Sequence, residues 1–129
     1  MARILIVEDE VLLSSIISRE LTNAGHNVRA AYDGENALRE VELTKPELIL
    51  LDLIMPKMNG FQLLDSLKKN PDTAGIPVVV LSNLGQKEEI EKAKLGGAID
   101  YMVKIDFAPK DVRDRVNEII ESYGTLQAV

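Results

Sequence analysis

The sequence contains no cysteine, no tryptophan and only one histidine. Without cysteine the chain has no disulfide framework, no thiolate metal site and no cysteine nucleophile. The single histidine, His26, follows a glycine of the kind that often ends a helix, so we expect it at the surface or in a turn. Chemistry in this protein must therefore come from oxygen-bearing and amine side chains.

Long apolar runs and an excess of basic residues are also missing. The run at residues 4–7 is too short for a signal peptide, and no run approaches the length that spans a membrane. With 15 Lys and Arg against 21 Asp and Glu, the formal net charge is -6. That balance argues against non-specific nucleic-acid binding and against binding to an anionic membrane surface. We therefore expect a soluble cytoplasmic protein.

The chain has the composition of an ordinary globular domain. It has 129 residues, of which 46% are hydrophobic and 28% are charged. This length is enough to bury one core and is typical of one domain.

The stretch at residues 48–56 is the most informative in the chain. Four apolar residues are followed by Asp52, and a proline comes four positions later. Such a run is typical of a strand buried on both faces of a parallel sheet. Because a charge inside it would be costly, we expect Asp52 at the carboxyl end of the strand, where open α/β sheets bind ligands.

Apolar strand patterns alternate with helical patterns along the whole sequence, without a linker between them. This pattern predicts an α/β fold, a doubly wound parallel sheet with helices on both faces. We expect one domain over residues 1–123, a frayed tail over 124–129 and no second domain. The predicted strands are 3–7, 26–31, 48–51, 78–81 and 98–103, and the predicted helices are 11–24, 35–43, 61–67, 86–95 and 109–123.

Polar side chains follow four of these strands. They are Glu8 with Asp9, then Asp52, Ser82 and Lys104. Taken singly, an acid here could cap a helix, the serine could belong to a turn and the lysine to the surface. Because the carboxyl ends of parallel strands meet at one edge of the sheet, their coincidence predicts a single site.

The residue types of that site fit phosphoryl transfer. Clustered carboxylates without histidine or cysteine suit a hard cation such as Mg²⁺. Asp52 would be the nucleophile and would form an aspartyl phosphate. Lys104 would pair with one phosphoryl oxygen and Ser82 would donate a hydrogen bond to another. Backbone N–H groups after Asp52 could complete the cradle.

With these residues the sequence resembles the receiver domain of response regulators, and it is similar to the stand-alone chemotaxis type. The resemblance covers nearly the whole chain, and Tyr101 matches the switch aromatic of the family. The other matching positions are Val7-Glu8-Asp9, the stretch from Leu51 to Pro56 around Asp52, Asn59-Gly60, Ser82 and Lys104.

The resemblance implies a flavodoxin-like (βα)5 fold with strand order 2-1-3-4-5. It also implies that Asp52 accepts a phosphoryl group from a histidine kinase or phosphotransfer protein. Mg²⁺, or Mn²⁺ in its place, would be held by Glu8 or Asp9, by Asp52 and by the backbone carbonyl of Ile54.

The family's switch and output are implied as well. Ser82 would move inward on phosphorylation, Tyr101 would follow, and the surface of the fourth helix, fifth strand and fifth helix would change its preference for a protein partner. The chain would be a signalling domain, a monomer or weak homodimer, that catalyses only its own phosphorylation and slow dephosphorylation.

One position departs from the family pattern, and two others are positions that adjust the reactivity of the site in this family. Ile105 stands where the family usually has a proline with a cis peptide, and we expect Lys104 to reach the site nonetheless. The residues two places after the aspartate and the hydroxyl residue are Ile54 and Leu84. Both are apolar and cannot orient an attacking water, which predicts a long-lived phosphoryl group.

Three other functions compete with this interpretation. A phosphatase or phosphotransferase of similar chemistry usually has a second acid where Ile54 stands. A nucleotide- or flavin-binding module would need a glycine-rich turn where the acids follow the first strand. A receiver-like interaction module that works without phosphorylation is the main alternative. Direct DNA binding by the chain itself is not expected, because we expect no output domain in it.

Overall fold

We describe the fold from a computed structural model, which covers residues 2–55 and 58–128, the side chains of 124–128 excepted. Pro56, the last residue of the predicted motif, lies outside these residues, as does Lys57. The elements are β1 (Arg3–Val7), α1 (Val11–Asn23), β2 (Asn27–Ala31), α2 (Gly34–Thr44), β3 (Leu48–Leu51), α3 (Gly60–Lys69), β4 (Val78–Ser82), α4 (Lys87–Leu95), β5 (Asp100–Val103), a 3-10 turn (Lys104–Asp106) and α5 (Pro109–Ala128).

The five strands form one parallel sheet in the order β2-β1-β3-β4-β5. The predicted doubly wound fold is therefore confirmed. β1 and β3 are neighbours, and Val7 lies opposite Leu51 at their carboxyl ends. The backbone N–H of Asp52 continues this ladder by donating to the carbonyl of Val7 at 3.0 Å. Glu8 and Asp52 thus leave adjacent strands at the same level.

Both faces of the sheet are covered by apolar core. In β3, Ile49 and Leu51 belong to the core on one face, and Leu48 and Leu50 belong to the core on the other. The first core includes residues of α2, α3 and α4, and the second includes residues of α1 and α5. Alternate side chains point to opposite faces of a strand. This explains why β3 is apolar at every position.

His26 was predicted at the surface or in a turn. Its backbone N–H donates to the carbonyl of Leu21 in the turn that follows α1, but the residue is buried, so the surface placement is wrong. His26 is only 8% exposed. Nδ1 accepts a hydrogen bond from the backbone N–H of Ala2 at 3.1 Å, and Nε2 lies 2.6 Å from Oδ1 of Asn117 in α5. This contact joins the link between α1 and β2 to α5. Because the two residues are 91 positions apart, no local sequence pattern indicates that His26 is buried.

Several element boundaries differ from the sequence prediction. β2 begins at Asn27 instead of 26, and β5 begins at Asp100 instead of 98. The larger difference is in α5, which continues through Ala128 although the predicted tail begins at residue 124. A glycine inside a helix costs only about 1 kcal/mol relative to alanine, so Gly124 need not end one.

Among the described residues, no helix is both long enough and apolar enough to cross a membrane.

The start of α3 lies directly against the end of β3. Asn59 and Gln62 form a capping box, in which each side chain accepts the other residue's backbone N–H at 3.0 Å. The N–H of Gly60 donates to the carbonyl of Leu53 at 3.0 Å. A Cβ on Gly60 would lie 2.4 Å from the carbonyl oxygen of Asp52 and 2.5 Å from Cα of Leu53. Only glycine fits at this position without displacing backbone.

We expect Gly60→Ala to destabilise the protein by about 1–3 kcal/mol, the usual cost of an added methyl group in a closely packed site. The free energy of unfolding in urea measures the effect. Gly75→Ala is the matched control, because no heavy atom lies within 4 Å of its added Cβ. Equal stability of the two variants would contradict the close approach at Gly60.

Candidate functional site

The ends of β1 and β3 bring three carboxylates together. Glu8 is 3% exposed and Asp52 is 4% exposed, whereas Asp9 is exposed. One carboxylate oxygen from each of the three residues lies within 4.8 Å of the others. Buried carboxylates this close together repel each other and need a compensating cation. The structure therefore brings the predicted acids into one cluster.

Lys104 supplies positive charge to this cluster. Its Nζ lies 2.5 Å from Oε1 of Glu8 and 3.1 Å from Oδ2 of Asp52. The side chain leaves the sheet at the end of β5, where the 3-10 turn begins. The Lys104–Ile105 peptide is trans. Lys104 thus reaches Asp52 although isoleucine follows it.

The cluster shifts two pKa values in the same direction. Burial raises the pKa of the Glu8 carboxyl from its ordinary 4.5 to about 7, although Lys104 opposes the shift. For Lys104, burial lowers the pKa, but the hydrogen bond to Glu8 and the charge of Asp52 outweigh it, so the pKa is raised. The lysine therefore stays cationic at neutral pH, while Glu8 can exchange a proton there.

The residue two places after Asp52 contacts the acid through its backbone. The N–H of Ile54 donates to Oδ1 of Asp52 at 3.1 Å. Its side chain is 53% exposed beside the carboxylate. The Ile54 amide therefore lies beside the Asp52 carboxylate, and its predicted role in a phosphoryl cradle and the metal-binding role of its carbonyl stay predictions.

Ser82 and Tyr101 both form hydrogen bonds with the backbone of Leu84, in the loop after β4. Ser82 is fully buried at the end of β4, and its Oγ accepts a long hydrogen bond of 3.4 Å from the N–H of Leu84. The hydroxyl of Tyr101 donates to the carbonyl of Leu84. Burial raises the pKa of this tyrosine. The peptide groups of Leu84 therefore connect the two side chains, and their predicted movement stays a prediction.

With this geometry established, the chain can be compared with known proteins. Residues 4–117 match the family described as the response regulator receiver domain. This chain belongs to that family. It is therefore a receiver, a signalling domain of two-component systems, and the predicted family is confirmed.

One related sequence and one related structure support the assignment to the receiver family. The receiver is similar to the DNA-binding dual master transcriptional regulator RpaA of Synechocystis sp., with 36% identity over 119 residues, which are 92% of this chain and 48% of RpaA. It is similar in structure to the chemotaxis response regulator CheY4 of Vibrio cholerae, with a TM-score of 0.85, 27% identity, and coverage of 92% of this chain and 98% of CheY4.

A third relative is a metal-bound structure. The Mn(2+)-bound form of response regulator Rcp1 has a TM-score of 0.75 and 30% identity, and the match covers 81% of each chain. By contrast with the CheY4 match, this receiver spans about half the length of the transcriptional regulators it is similar to.

One residue near the receiver's acids was not singled out from the sequence. Glu10 donates its backbone N–H to Oε2 of Glu8 at 3.1 Å, and its own carboxylate lies 3.5 Å from Nζ of Lys104. The available signal was its place as the third acid after β1. Sequence spacing alone did not distinguish this contact from a helix cap.

The raised pKa of Glu8 predicts a pH dependence of stability in metal-free buffer. Between its ordinary value of 4.5 and about 7 the folded receiver holds a proton at Glu8 that the unfolded chain releases. The contribution of Glu8 is therefore fully present below 4.5 and is lost as the pH rises through 7. We expect the free energy of unfolding of the wild type, minus that of Glu8→Gln, to fall across this range.

Urea denaturation in the presence of a chelator, at several pH values, measures this difference. Glu42→Gln, which removes an exposed carboxylate of α2, is the control for a general charge effect. A difference between wild type and Glu8→Gln that stays constant with pH would show that burial does not shift Glu8 in this way.

Proposed function

We propose that this receiver takes a phosphoryl group from a phosphohistidine onto Asp52 and so controls a partner protein. The observation that carries the proposal is the position of the buried Asp52 carboxylate, 3.1 Å from the Lys104 ammonium and inside an acid cluster. An aspartate in an environment built for phosphoryl transfer needs little more than positioning and charge stabilisation.

In the proposed step, an Asp52 carboxylate oxygen attacks the phosphorus of the phosphohistidine. A P–O bond forms, the P–N bond breaks, and the imidazole leaves with the electron pair. The Lys104 ammonium pairs with a phosphoryl oxygen, and the N–H of Ile54, now 3.1 Å from Asp52 Oδ1, stabilises the reacting carboxylate. Ser82 contributes a hydrogen bond to a second phosphoryl oxygen once it leaves the N–H of Leu84.

The donor set fits a hard divalent cation. Glu8, Asp9 and Asp52 offer carboxylate oxygens within 4.8 Å of one another, and oxygen is the ligand that Mg²⁺ and Mn²⁺ prefer. When bound, the cation offsets the charge of the carboxylates and of the incoming phosphoryl group. The Mn(2+)-bound form of the related Rcp1 supports this choice of metals.

The proposed output surface is formed by α4, β5 and α5. Tyr101 lies in β5, and its hydroxyl already contacts the loop that leads into α4. Next to Tyr101 in the sequence, Asp100 pairs with Arg115 of α5 at 2.5 Å, and Leu95 at the end of α4 is 89% exposed. A shift of Ser82 and Tyr101 would therefore change a surface that also offers apolar area to a partner.

The phosphoryl donor also needs a surface beside the site on which to bind. Exposed apolar side chains follow both the acid run and Lys104, namely Val11, Leu12 and Ile105. We propose that the histidine-bearing surface of a histidine kinase or phosphotransfer protein covers them. With acids in excess and a net charge of -6, this chain itself contacts proteins and not DNA, as a monomer or weak homodimer of the cytoplasm.

Incubation with acetyl phosphate and Mg²⁺ should give one phosphoryl adduct on the wild type, detected by intact-mass analysis. Asp52→Asn should give none, because the nucleophile is lost, and a chelator should abolish the adduct. Lys104→Met should react at least tenfold more slowly, since a charged contact to the phosphoryl group is typically worth more than about 1.4 kcal/mol.

Failure of the wild type to form any adduct would overturn the proposal. The alternative, an interaction module that works without phosphorylation, would then account for the family match. An adduct that persists in Asp52→Asn would place the acceptor at another residue.

The apolar side chains beside the site predict a long-lived phosphoryl group. Ile54 is 53% exposed next to Asp52, and Leu84 is half-buried against the core, so neither offers a polar group to an attacking water. We expect the double variant Ile54→Asn, Leu84→Glu to lose its phosphoryl group faster than the wild type. Decay of the adduct after removal of acetyl phosphate measures this. An equal or slower decay would contradict it.

A further inference from the structure

Three acids surround the ammonium of Lys104, and only one of them lies outside the proposed metal and phosphoryl sites. Nζ lies 2.5 Å from Glu8, 3.1 Å from Asp52 and 3.5 Å from Glu10. Glu8 and Asp52 are also members of the carboxylate cluster that suits a cation, and Glu10 is not. The two shortest contacts of the lysine therefore use carboxylates that the reaction also needs.

The side chain of Glu10 does not serve as a helix cap. It is the N-cap residue of α1, yet its side chain makes no capping hydrogen bond. Its carboxylate, in a side chain that is 64% exposed, turns instead toward Lys104. Its hydrogen bond to Glu8 comes from the backbone N–H, which a substitution of the side chain leaves in place.

We propose that Glu10 is a positioning residue, which holds the Lys104 ammonium beside the phosphoryl site when Glu8 and Asp52 are engaged by a cation. This inference rests on the proposed function. A cation shared by Glu8 and Asp52 weakens both close contacts of the ammonium, by competing for the oxygens and by repulsion. Glu10 is then the described carboxylate that can still hold Nζ near Asp52.

The direction in which Glu10→Gln changes the phosphorylation rate distinguishes positioning of Lys104 from a general electrostatic effect on the anionic substrate. Acetyl phosphate is an anion, so removing a negative charge near Asp52 should by itself speed its reaction. Loss of positioning should instead slow the reaction at saturating acetyl phosphate. For an exposed ion pair we expect Glu10→Gln to lower the maximal rate constant about two- to fivefold.

The test compares phosphorylation kinetics of the wild type, Glu10→Gln, Lys104→Met and the double variant at saturating Mg²⁺. Glu42→Gln is the matched control, because it removes an exposed glutamate charge in α2. We expect Glu10→Gln to lower the maximal rate constant without raising KM for acetyl phosphate. In the Lys104→Met background the same substitution should cause no slowing, and Glu42→Gln should behave as the wild type.

A second readout does not depend on activity. We expect the side-chain NMR signals of Lys104 to differ between wild type and Glu10→Gln at saturating Mg²⁺, with the backbone amide signals of α1 unchanged. Identical Lys104 signals, a rate that is unchanged or faster, or equal slowing with and without Lys104 would each overturn the inference. If the wild type forms no adduct, the proposed function fails, and the NMR comparison still decides the role of Glu10.

Discussion

The burial of two carboxylates side by side is the constraint on which the rest of this structure depends. Parallel pairing of β1 with β3, continued by the hydrogen bond from the Asp52 N–H to Val7, leaves Glu8 and Asp52 at adjacent strand ends. Neither acid can move away into solvent by a shift of its strand, because β1 and β3 are both packed on both faces of the sheet. The charge therefore has to be compensated where it stands, and Lys104 does this from the end of β5.

The turn after β5 and the start of α3 both lie close to these acids. The Lys104 side chain crosses to the acids from the 3-10 turn that separates β5 from α5. On the other side, α3 can begin against the backbone of Asp52 only because residue 60 is glycine. The same arrangement places the Lys104 ammonium and the backbone N–H of Ile54 within hydrogen-bond distance of the Asp52 carboxylate. Structure and proposed chemistry therefore rest on the same contacts.

The sequence predicted the features that depend on local pattern. The apolar run before Asp52 indicated a strand buried on both faces, and the alternation of strands and helices indicated a doubly wound sheet. Polar residues at four strand ends then indicated a site, because parallel topology places those ends together. The burial of His26 was not predicted and Glu10 was not assigned, since their partners, Asn117 and Lys104, are 91 and 94 residues away.

By itself the sequence determined the end of each strand to within one residue, since β4 ends at Ser82 and the prediction ended it at 81. It therefore determined which side chains gather at one edge of the sheet. Hydrophobic periodicity decides this, because each strand must match its own pattern of burial. Only the tertiary structure decided how Lys104 is shared among three acids, and how the peptide groups of Leu84 join Ser82 to Tyr101. Such contacts depend on distances of a few ångströms between elements that are remote in sequence, and no local pattern records them.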